Sequence, residues 1–207
     1  MNNFFEILRG GINTTFQDVG RNNLHHIGIS SSGAMDNRNF QLSNSILGNK
    51  SNNPVIEFAY QGPLIKFHGD KINFVITGEV IFKIVKGKNE IIGNCYESYT
   101  IEEGDKIDII STNKSVYGYL AISGDFDLKF QWGSCSVNTK ANIGSNNGKK
   151  IISGQKINIL NILSYEMKKK LNFVNTKIEK IRVIKGTNFN YFSDKGVKSF
   201  FKDDFFV

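Results

Sequence analysis

The chain has 207 residues, 40% of them hydrophobic and 12% aromatic, and it carries a net charge of +7. The apolar content suffices for a substantial core, and the dispersed Lys and Arg residues form no basic stripe with interleaved aromatic residues, which argues against nucleic-acid binding. Because no stretch is long and apolar enough to cross a bilayer and no secretory signal pattern opens the chain, we expect a cytoplasmic protein with neither a membrane nor a nucleic acid as its partner.

Short apolar or alternating segments recur along the chain between Gly, Asn and Asp residues. In chain order they are FFEIL, VIEFAY, LIKFHG, INFVIT, VIFKIV, KIDII, VYGYLAIS, KINILNI and KIRVIK. Their Ile, Val, Phe and Tyr residues favour strands, and closely spaced strands of this length are typical of antiparallel barrels and sandwiches. The sequence therefore predicts a mainly β fold.

One early segment predicts a helix instead. Asp36 is a good N-cap for the residues that follow it, and Gly48 supplies a left-handed stop. The helix would have about three turns and would turn Phe40 and Leu47 towards the core. A second helix is expected to begin at Ser193.

The last residues form a strongly apolar segment. Four phenylalanines lie there with no later residues to cover them: Phe200, Phe201, Phe205 and Phe206. A large uncovered apolar surface is unusual for an independent domain. We therefore expect residues 1–175 to form a β domain, either a barrel or a sandwich, and residues 176–207 to begin an incomplete second domain.

The segment TTFQDVGRNNLHHIGISSSGAMD, residues 14–36, concentrates polar side chains between a strand and the first helix. Asp18 and Arg21 can form an ion pair, or Arg21 can clamp a carboxylate or phosphate with its planar donors. The turn at residues 30–33 exposes N–H groups before a helix N-terminus, where anions bind. The same residues also suit structural roles, as an Asp–Arg pair, turn-forming serines and a helix cap.

Other segments carry weaker signals for chemistry. In WGSCSVN, Ser134 and Cys135 lack the second glycine of a G-x-S-x-G elbow. The GSNNGKK segment, residues 144–150, brings its glycines closer together than a Walker A loop does, and no Ser or Thr follows its first Lys. The adjacent histidines 25–26 would point apart on a strand and no zinc spacing occurs, so we expect no metal site. Cys95 and Cys135 are expected to be free thiols.

Several motifs in order resemble the bacterial family of 5-oxoprolinase C subunits. They are GGINTTFQDVGR, HIGISSSGAMDNRNF, NSILGN, VIEFAYQGPLIKF, VITG, YGYLAISGDFDL, WGSCS and ISGQKINI. The family is related to allophanate hydrolase subunit 2, to the KipA protein and to the carboxyltransferase part of urea carboxylase. The resemblance implies a cyclophilin-like antiparallel β-barrel with one short early helix. It also implies a domain-sized continuation after Val207, so we expect the chain to be truncated at its C-terminus.

The resemblance implies one component of an ATP-dependent amide-activating hydrolase. Such an enzyme would convert 5-oxoproline to glutamate together with two further subunits, a homologous, KipI-like B subunit plus an A subunit, using ATP with Mg²⁺ and no metal bound by the protein itself. One alternative is the carboxyltransferase component of a urea carboxylase or allophanate system, in which biotin brings the carboxyl group. Another is a non-catalytic, KipA-like regulatory module that binds its homologous B subunit partner. The expected truncation would leave the chain inactive alone.

The resemblance also implies which residues form the site. The expected catalytic residues are Arg21, Asp18 and Glu57, with Asp18 orienting Arg21. Both amide-activating reactions develop an oxyanion, which Arg and backbone N–H groups stabilise. Glu57 lies in an apolar strand, where a buried carboxyl group needs a partner and suits proton transfer. The expected substrate or anion contacts are Gln17, Ser30, Ser31, Ser32, Gly33 and Thr77, and Asp36 is expected to cap the helix.

Overall fold

The computed structural model describes residues 3–163, 168–172 and 181–204. The chain divides into two compact units, Met1–Asn172 and Phe173–Val207. The strands of the described part belong to the first unit, together with the first helix. The candidate site residues also lie in that unit.

The first unit is built from short strands and one α-helix. Its strands are β1 (Phe4–Arg9), β2 (Asn13–Gln17), β3 (Val55–Ala59), β4 (Leu64–His68), β5 (Lys71–Thr77), β6 (Val80–Lys86), β7 (Asn89–Ile92), β8 (Ser98–Glu102), β9 (Lys106–Thr112), β10 (Tyr117–Ile122), β11 (Asp125–Phe126) and β12 (Lys156–Leu160). They form two antiparallel sheets, ordered β11-β12-β1-β4-β9-β6-β7 and β2-β3-β10-β5-β8. The mainly β prediction is confirmed, but the sheets are not closed into a barrel.

The hydrophobic core lies between the two sheets. Phe74 of β5 and Phe82 of β6, which belong to different sheets, pack edge to face with ring centroids 6.3 Å apart. At the other end of the core, Phe16 of β2 lies 5.4 Å from Phe126 of β11. Because side chains alternate along a strand, the apolar inner face of the five-stranded sheet leaves its outer face for polar residues.

Helix α1, Asn37–Leu47, covers that outer face and begins and ends as predicted. Asp36 caps it, since its Oδ1 accepts from the N–H of Asn39 at 3.0 Å. Gly48 ends it in the left-handed region with a φ of 73°. Phe40 is fully buried, and the Thr77 hydroxyl of β5 donates to the Asn39 carbonyl at 2.8 Å. The helix is therefore fixed to the sheet at its N-terminal end.

The second unit contains a short helical turn, Phe189–Tyr191, and helix α2, Asp194–Lys202. Helix α2 begins where the sequence predicts, because the Ser193 hydroxyl accepts from the N–H of Gly196 at 3.2 Å. Phe200 and Phe201 are exposed, while the predicted roles of Phe205 and Phe206 fall outside the described residues. Among the helices that the structure describes, none is long and apolar enough to cross a membrane.

The strand predicted for KIRVIK is wrong in its described part, residues 181–185. These residues adopt no regular structure, and Ile184 is 96% exposed. A strand is stabilised by its ladder partners and by burial of alternate side chains, and this segment has neither among the described residues. Its local apolar pattern alone therefore predicts a strand that does not form.

Candidate functional site

A row of polar side chains crosses the outer face of the five-stranded sheet. Glu57 on β3 lies directly opposite Thr15 on β2 and Tyr119 on β10, and Tyr119 lies opposite Thr77 on β5. Paired residues of antiparallel strands point to the same face, so these four side chains share one surface. Gln17, two residues beyond Thr15, points to it as well. Four neighbouring strands thus supply the floor of the candidate site.

Glu57 and Tyr119 hold the start of helix α1. The N–H of Met35 donates to Glu57 Oε2 at 2.7 Å, and the N–H of Asp36 donates to the Tyr119 hydroxyl oxygen at 2.6 Å. The Tyr119 hydroxyl in turn donates to Glu57. Burial raises the pKa of Glu57, although the bonds from Met35 and Tyr119 act in the opposite direction. Glu57 is therefore a buried carboxyl group that holds the start of helix α1.

Asp18 is a fully buried centre of hydrogen bonds. Its Oδ1 accepts from the N–H of Gly20 at 2.7 Å and from the hydroxyls of Ser134 and Ser136 at 2.6 and 2.5 Å. Its Oδ2 accepts from the N–H of Cys135 at 2.8 Å. Burial raises the pKa of Asp18, but these hydrogen bonds outweigh it and the pKa is lowered. The ionised carboxylate thus ties the end of β2 to the WGSCS segment.

Arg21 is 2% exposed. Its guanidinium donates to the Ser136 carbonyl at 2.6 Å, to the Ser32 hydroxyl oxygen at 3.1 Å and to the Gln131 carbonyl at 3.5 Å. All three acceptors are neutral, and the ion pairs of the described residues do not include Arg21. Burial lowers the pKa of Arg21, and the charge of Asp18 raises it. The direct Asp18–Arg21 ion pair considered from the sequence does not form.

The serine turn, residues 30–33, presents unpaired backbone donors. Its four N–H groups donate to no acceptor in the part of the chain that the structure describes. The turn is fixed by the N–H of Arg21, which donates to the Ser31 carbonyl at 2.8 Å. Gly33 has a φ of 96°, and a Cβ there would lie 2.9 Å from the Val19 carbonyl oxygen. The close approach of the two backbone segments therefore requires glycine.

The side-chain amide of Gln17 is bonded at one end only. Its Nε2 donates to Thr15 Oγ1 and to the Val137 carbonyl, both at 3.0 Å, whereas its buried Oε1 has no partner. Turning the amide over would set two oxygens against each other at Val137, so the hydrogen bonds fix its orientation. The Gln17 side chain donates to the carbonyl of Val137, and the Arg21 side chain donates to the preceding carbonyl, that of Ser136.

The structure places the predicted site residues in two adjoining groups. Arg21, Asp18 and Ser32 contact the WGSCS segment or each other, and Gln17 contacts Val137 directly after that segment. Glu57 and Thr77 lie at the start of α1. Ser30 accepts from Asn138 at 2.8 Å. The sequence did not single out the following partners of these residues: Tyr119, Gln131 and Ser136. They lie in separate motifs, and only strand register and loop packing bring them to the site.

Two other motifs do not form reactive sites. In the GSNNGKK turn, the N–H groups of Gly148 and Lys149 donate to the carbonyls of Ser145 and Asn146 at 2.9 and 3.0 Å, so they are not free for a phosphate. Cys135 is fully buried, and burial raises the pKa of its thiol, which disfavours the nucleophilic thiolate. Among the described residues, no group of three His, Cys, Asp or Glu side chains could hold a metal ion.

Two solved structures of yeast enzymes have a fold similar to that of this chain. The chain is similar to the urea carboxylase of Kluyveromyces lactis, with 30% identity and a TM-score of 0.71, over 75% of this chain and 14% of that one. The urea amidolyase of the same yeast gives 29% identity and a TM-score of 0.69, over 75% of this chain and 9% of that one. The fold is thus that of a carboxyltransferase domain. The family model for the carboxyltransferase domain, subdomain A and B, matches residues 27–207, and the chain belongs to this family.

Curated relatives include 5-oxoprolinase C subunits and urea amidolyases. The 5-oxoprolinase C subunit of Haemophilus influenzae is 33% identical over 147 residues, which are 71% of this chain and 46% of that protein. The urea amidolyase of Saccharomyces cerevisiae is 33% identical over 150 residues, 72% of this chain and 8% of that protein. The chain spans less than half the length of either relative. The family resemblance inferred from the motifs is confirmed.

Proposed function

We propose that the chain is one component of an ATP-dependent amide-activating hydrolase of the 5-oxoprolinase type. It would act with the A subunit plus the homologous B subunit to convert 5-oxoproline to glutamate. The similarity to the 5-oxoprolinase C subunit of H. influenzae supports this proposal. The structural observation that carries it is Arg21, a buried guanidinium whose bonds all end on neutral oxygens.

Arg21 and the serine turn together suit an anionic ligand. A guanidinium has five N–H donors, and Arg21 makes three bonds with them to the described residues. The Ser32 hydroxyl joins Arg21 to the turn at residues 30–33, whose N–H groups are unpaired in the described chain. The proposed substrate has a carboxylate, and attack on its amide carbonyl would place negative charge on an oxygen. Arg21 and these N–H groups would bind one of those charges.

The other predicted residues would hold this receptor in place. Asp18 fixes Ser136, whose carbonyl oxygen accepts from Arg21. Glu57 accepts from the N–H of Met35, two residues after the serine turn, and so fixes the entry to helix α1. We propose that Asp18 and Glu57 position the donors, and that Arg21 contacts the substrate.

ATP with Mg²⁺ belongs to the proposed reaction as a co-substrate. The described residues do not fit a nucleotide phosphate at the GSNNGKK turn, because Gly148 and Lys149 use their N–H groups on neighbouring carbonyls. They also include no group of three or more His, Cys, Asp or Glu residues that could hold a metal ion. We therefore propose that the nucleotide does not bind at the GSNNGKK turn.

Reconstitution with the A and B subunits tests the proposal. The complex is expected to release glutamate and ADP only when 5-oxoproline, ATP and all three proteins are present. Each protein is omitted in turn as the control. Stable assembly of the complex without any 5-oxoproline-dependent ADP release would overturn the proposal.

A carboxyltransferase role is the second candidate, favoured by the similarity to the K. lactis urea carboxylase. In that role the site would accept a carboxyl group carried by biotin and transfer it to urea. The same preparation is supplied with carboxylated biotin and urea, and carboxylation of urea without turnover of 5-oxoproline would assign this role. Tight binding to the B subunit with no ATP consumption on any amide would instead indicate a regulatory, KipA-like module.

A further inference from the structure

We propose that Gln17 selects the ligand of this site by accepting a hydrogen bond from a ligand N–H group. The site would therefore take a cyclic amide acid whose ring N–H meets Gln17 Oε1 while its carboxylate or carbonyl oxygen meets Arg21. This inference deepens the proposed function and rests on it for the location of the site. It assigns the recognition of the amide nitrogen to one named atom.

The first step is the missing partner of Gln17. The residue is 5% exposed, and its Oε1 is buried without a hydrogen bond in the described structure. Nearly all buried polar groups in native proteins are paired, and an unpaired acceptor is costly. A donor from outside the chain would complete the amide.

The second step is the orientation of the amide. Both Nε2 hydrogens are used, on Thr15 Oγ1 and the Val137 carbonyl oxygen. If the amide were turned so that Nε2 took the place of Oε1, then Oε1 would face the carbonyl oxygen of Val137. Gln17 is fixed as an acceptor, which excludes a ligand group that carries only lone pairs at this point.

The third step is that Arg21 is a hydrogen-bond donor whereas Gln17 Oε1 is an acceptor. Gln17 and Arg21 end on the consecutive carbonyl groups of Val137 and Ser136. Arg21 offers donors and Gln17 offers an acceptor, so a ligand that contacts both residues needs an acceptor and an N–H. A lactam that bears a carboxylate has both. A simple dicarboxylate, which is ionised at neutral pH and has no donor, would satisfy Arg21 alone.

A pair of ligands that differ in one group tests the inference. Binding of 5-oxoproline is measured by calorimetry against its lactone analogue, in which a ring oxygen replaces the N–H. The full chain is used alone and in complex with the A and B subunits. The wild type is expected to bind the lactam about 5- to 150-fold more tightly, the range for one unpaired buried acceptor. This comparison uses only the wild-type chain, so it does not depend on whether a variant folds.

Variants then assign the preference to Gln17. Gln17→Met, which keeps the length of the side chain and lacks the acceptor, is expected to reduce the lactam preference to within about twofold. Gln61→Met, at a half-buried loop position of the same unit, is the matched control and should keep the preference. Thermal unfolding of each variant confirms that it is folded.

The outcomes separate this inference from the proposed function. Equal binding of lactam and lactone by the wild type, or a preference that survives in Gln17→Met, overturns the role of Gln17 even if the complex hydrolyses 5-oxoproline. A Gln17-dependent lactam preference without hydrolysis supports this role and overturns the proposed reaction. Binding of neither ligand, alone or in the complex, overturns both.

Discussion

Asp18 and Arg21 meet at Ser136 and not at each other. The Ser136 hydroxyl donates to Asp18 Oδ1 at 2.5 Å, and the Ser136 carbonyl oxygen accepts from Arg21 at 2.6 Å. A buried carboxylate thus fixes the group that holds a buried cation, while the cation has no carboxylate in direct contact among the described residues. This arrangement leaves the charge of Arg21 for a ligand.

Replacing Asp18 with Asn should destabilise the first unit. The lost charge weakens bonds from Gly20, Ser134, Ser136 and Cys135, and we expect the free energy of unfolding to fall by about 2–4 kcal/mol. Because the folded pKa of Asp18 is lowered, its contribution is present above the unfolded pKa and is lost as pH falls through the folded one. The difference between wild type and variant should therefore shrink below about pH 4.

Urea denaturation at neutral and acid pH measures this difference, with Asp108→Asn as the control. Asp108 pairs with Arg9 at 2.7 Å, but both side chains are about one third exposed. The control should lose no more than about 1 kcal/mol. Equal losses in the two variants would contradict the central role of Asp18 in the buried network.

Glu57 should show the opposite pH dependence. Its folded pKa is raised, with burial as the main cause, so its ionisation opposes folding at neutral pH and this cost disappears as pH falls towards the ordinary carboxyl range. Relative to Glu57→Gln, the wild type should gain stability as pH falls from neutral towards the ordinary pKa of a glutamate, about 4.3. Chemical denaturation across this range provides the test. A stability difference between wild type and variant that does not change with pH would mean that burial does not raise the pKa of Glu57.

Tyr119→Phe removes the hydroxyl that joins Glu57 to the start of α1. The Asp36 N–H and the Glu57 carboxylate would each lose a buried partner, so we expect a loss of about 1–3 kcal/mol in the free energy of unfolding. Tyr60→Phe, at a residue that is 59% exposed, is the control and should be close to neutral. Similar values for both variants would show that the Tyr119 hydroxyl is not an anchor.

Gly33→Ala should disturb the serine turn more than Gly28→Ala does. Both glycines have positive φ, 96° and 77°, but only at Gly33 would the new Cβ meet backbone, 2.9 Å from the Val19 carbonyl oxygen. The backbone conformation costs about 1–2 kcal/mol at either position, and the contact adds to it at Gly33. Thermal unfolding of the pair isolates the contact, and equal melting temperatures would argue against a tightly closed turn.

Much of the fold follows from local signals in the sequence. Asp36 and Gly48 fix the ends of α1, and the β-branched runs mark most of the strands. Arg21 and Asp18 can be recognised in the sequence because polar residues are concentrated between a strand and a helix. Tyr119 does not, because its role depends on lying opposite Glu57 in the sheet. Register and loop packing are long-range properties, which short motifs do not encode.

The reconstituted complex provides the most direct test of the central claim, that Arg21 binds the substrate. We expect Arg21→Ala to lower kcat/KM for 5-oxoproline by about 10- to 1000-fold, the range for losing a charged donor to a carboxylate or developing oxyanion. Arg9→Ala, which removes an arginine paired with Asp108 on the other sheet, should leave kcat/KM nearly unchanged. A folded Arg21→Ala complex that turns over 5-oxoproline at the wild-type rate would contradict the account.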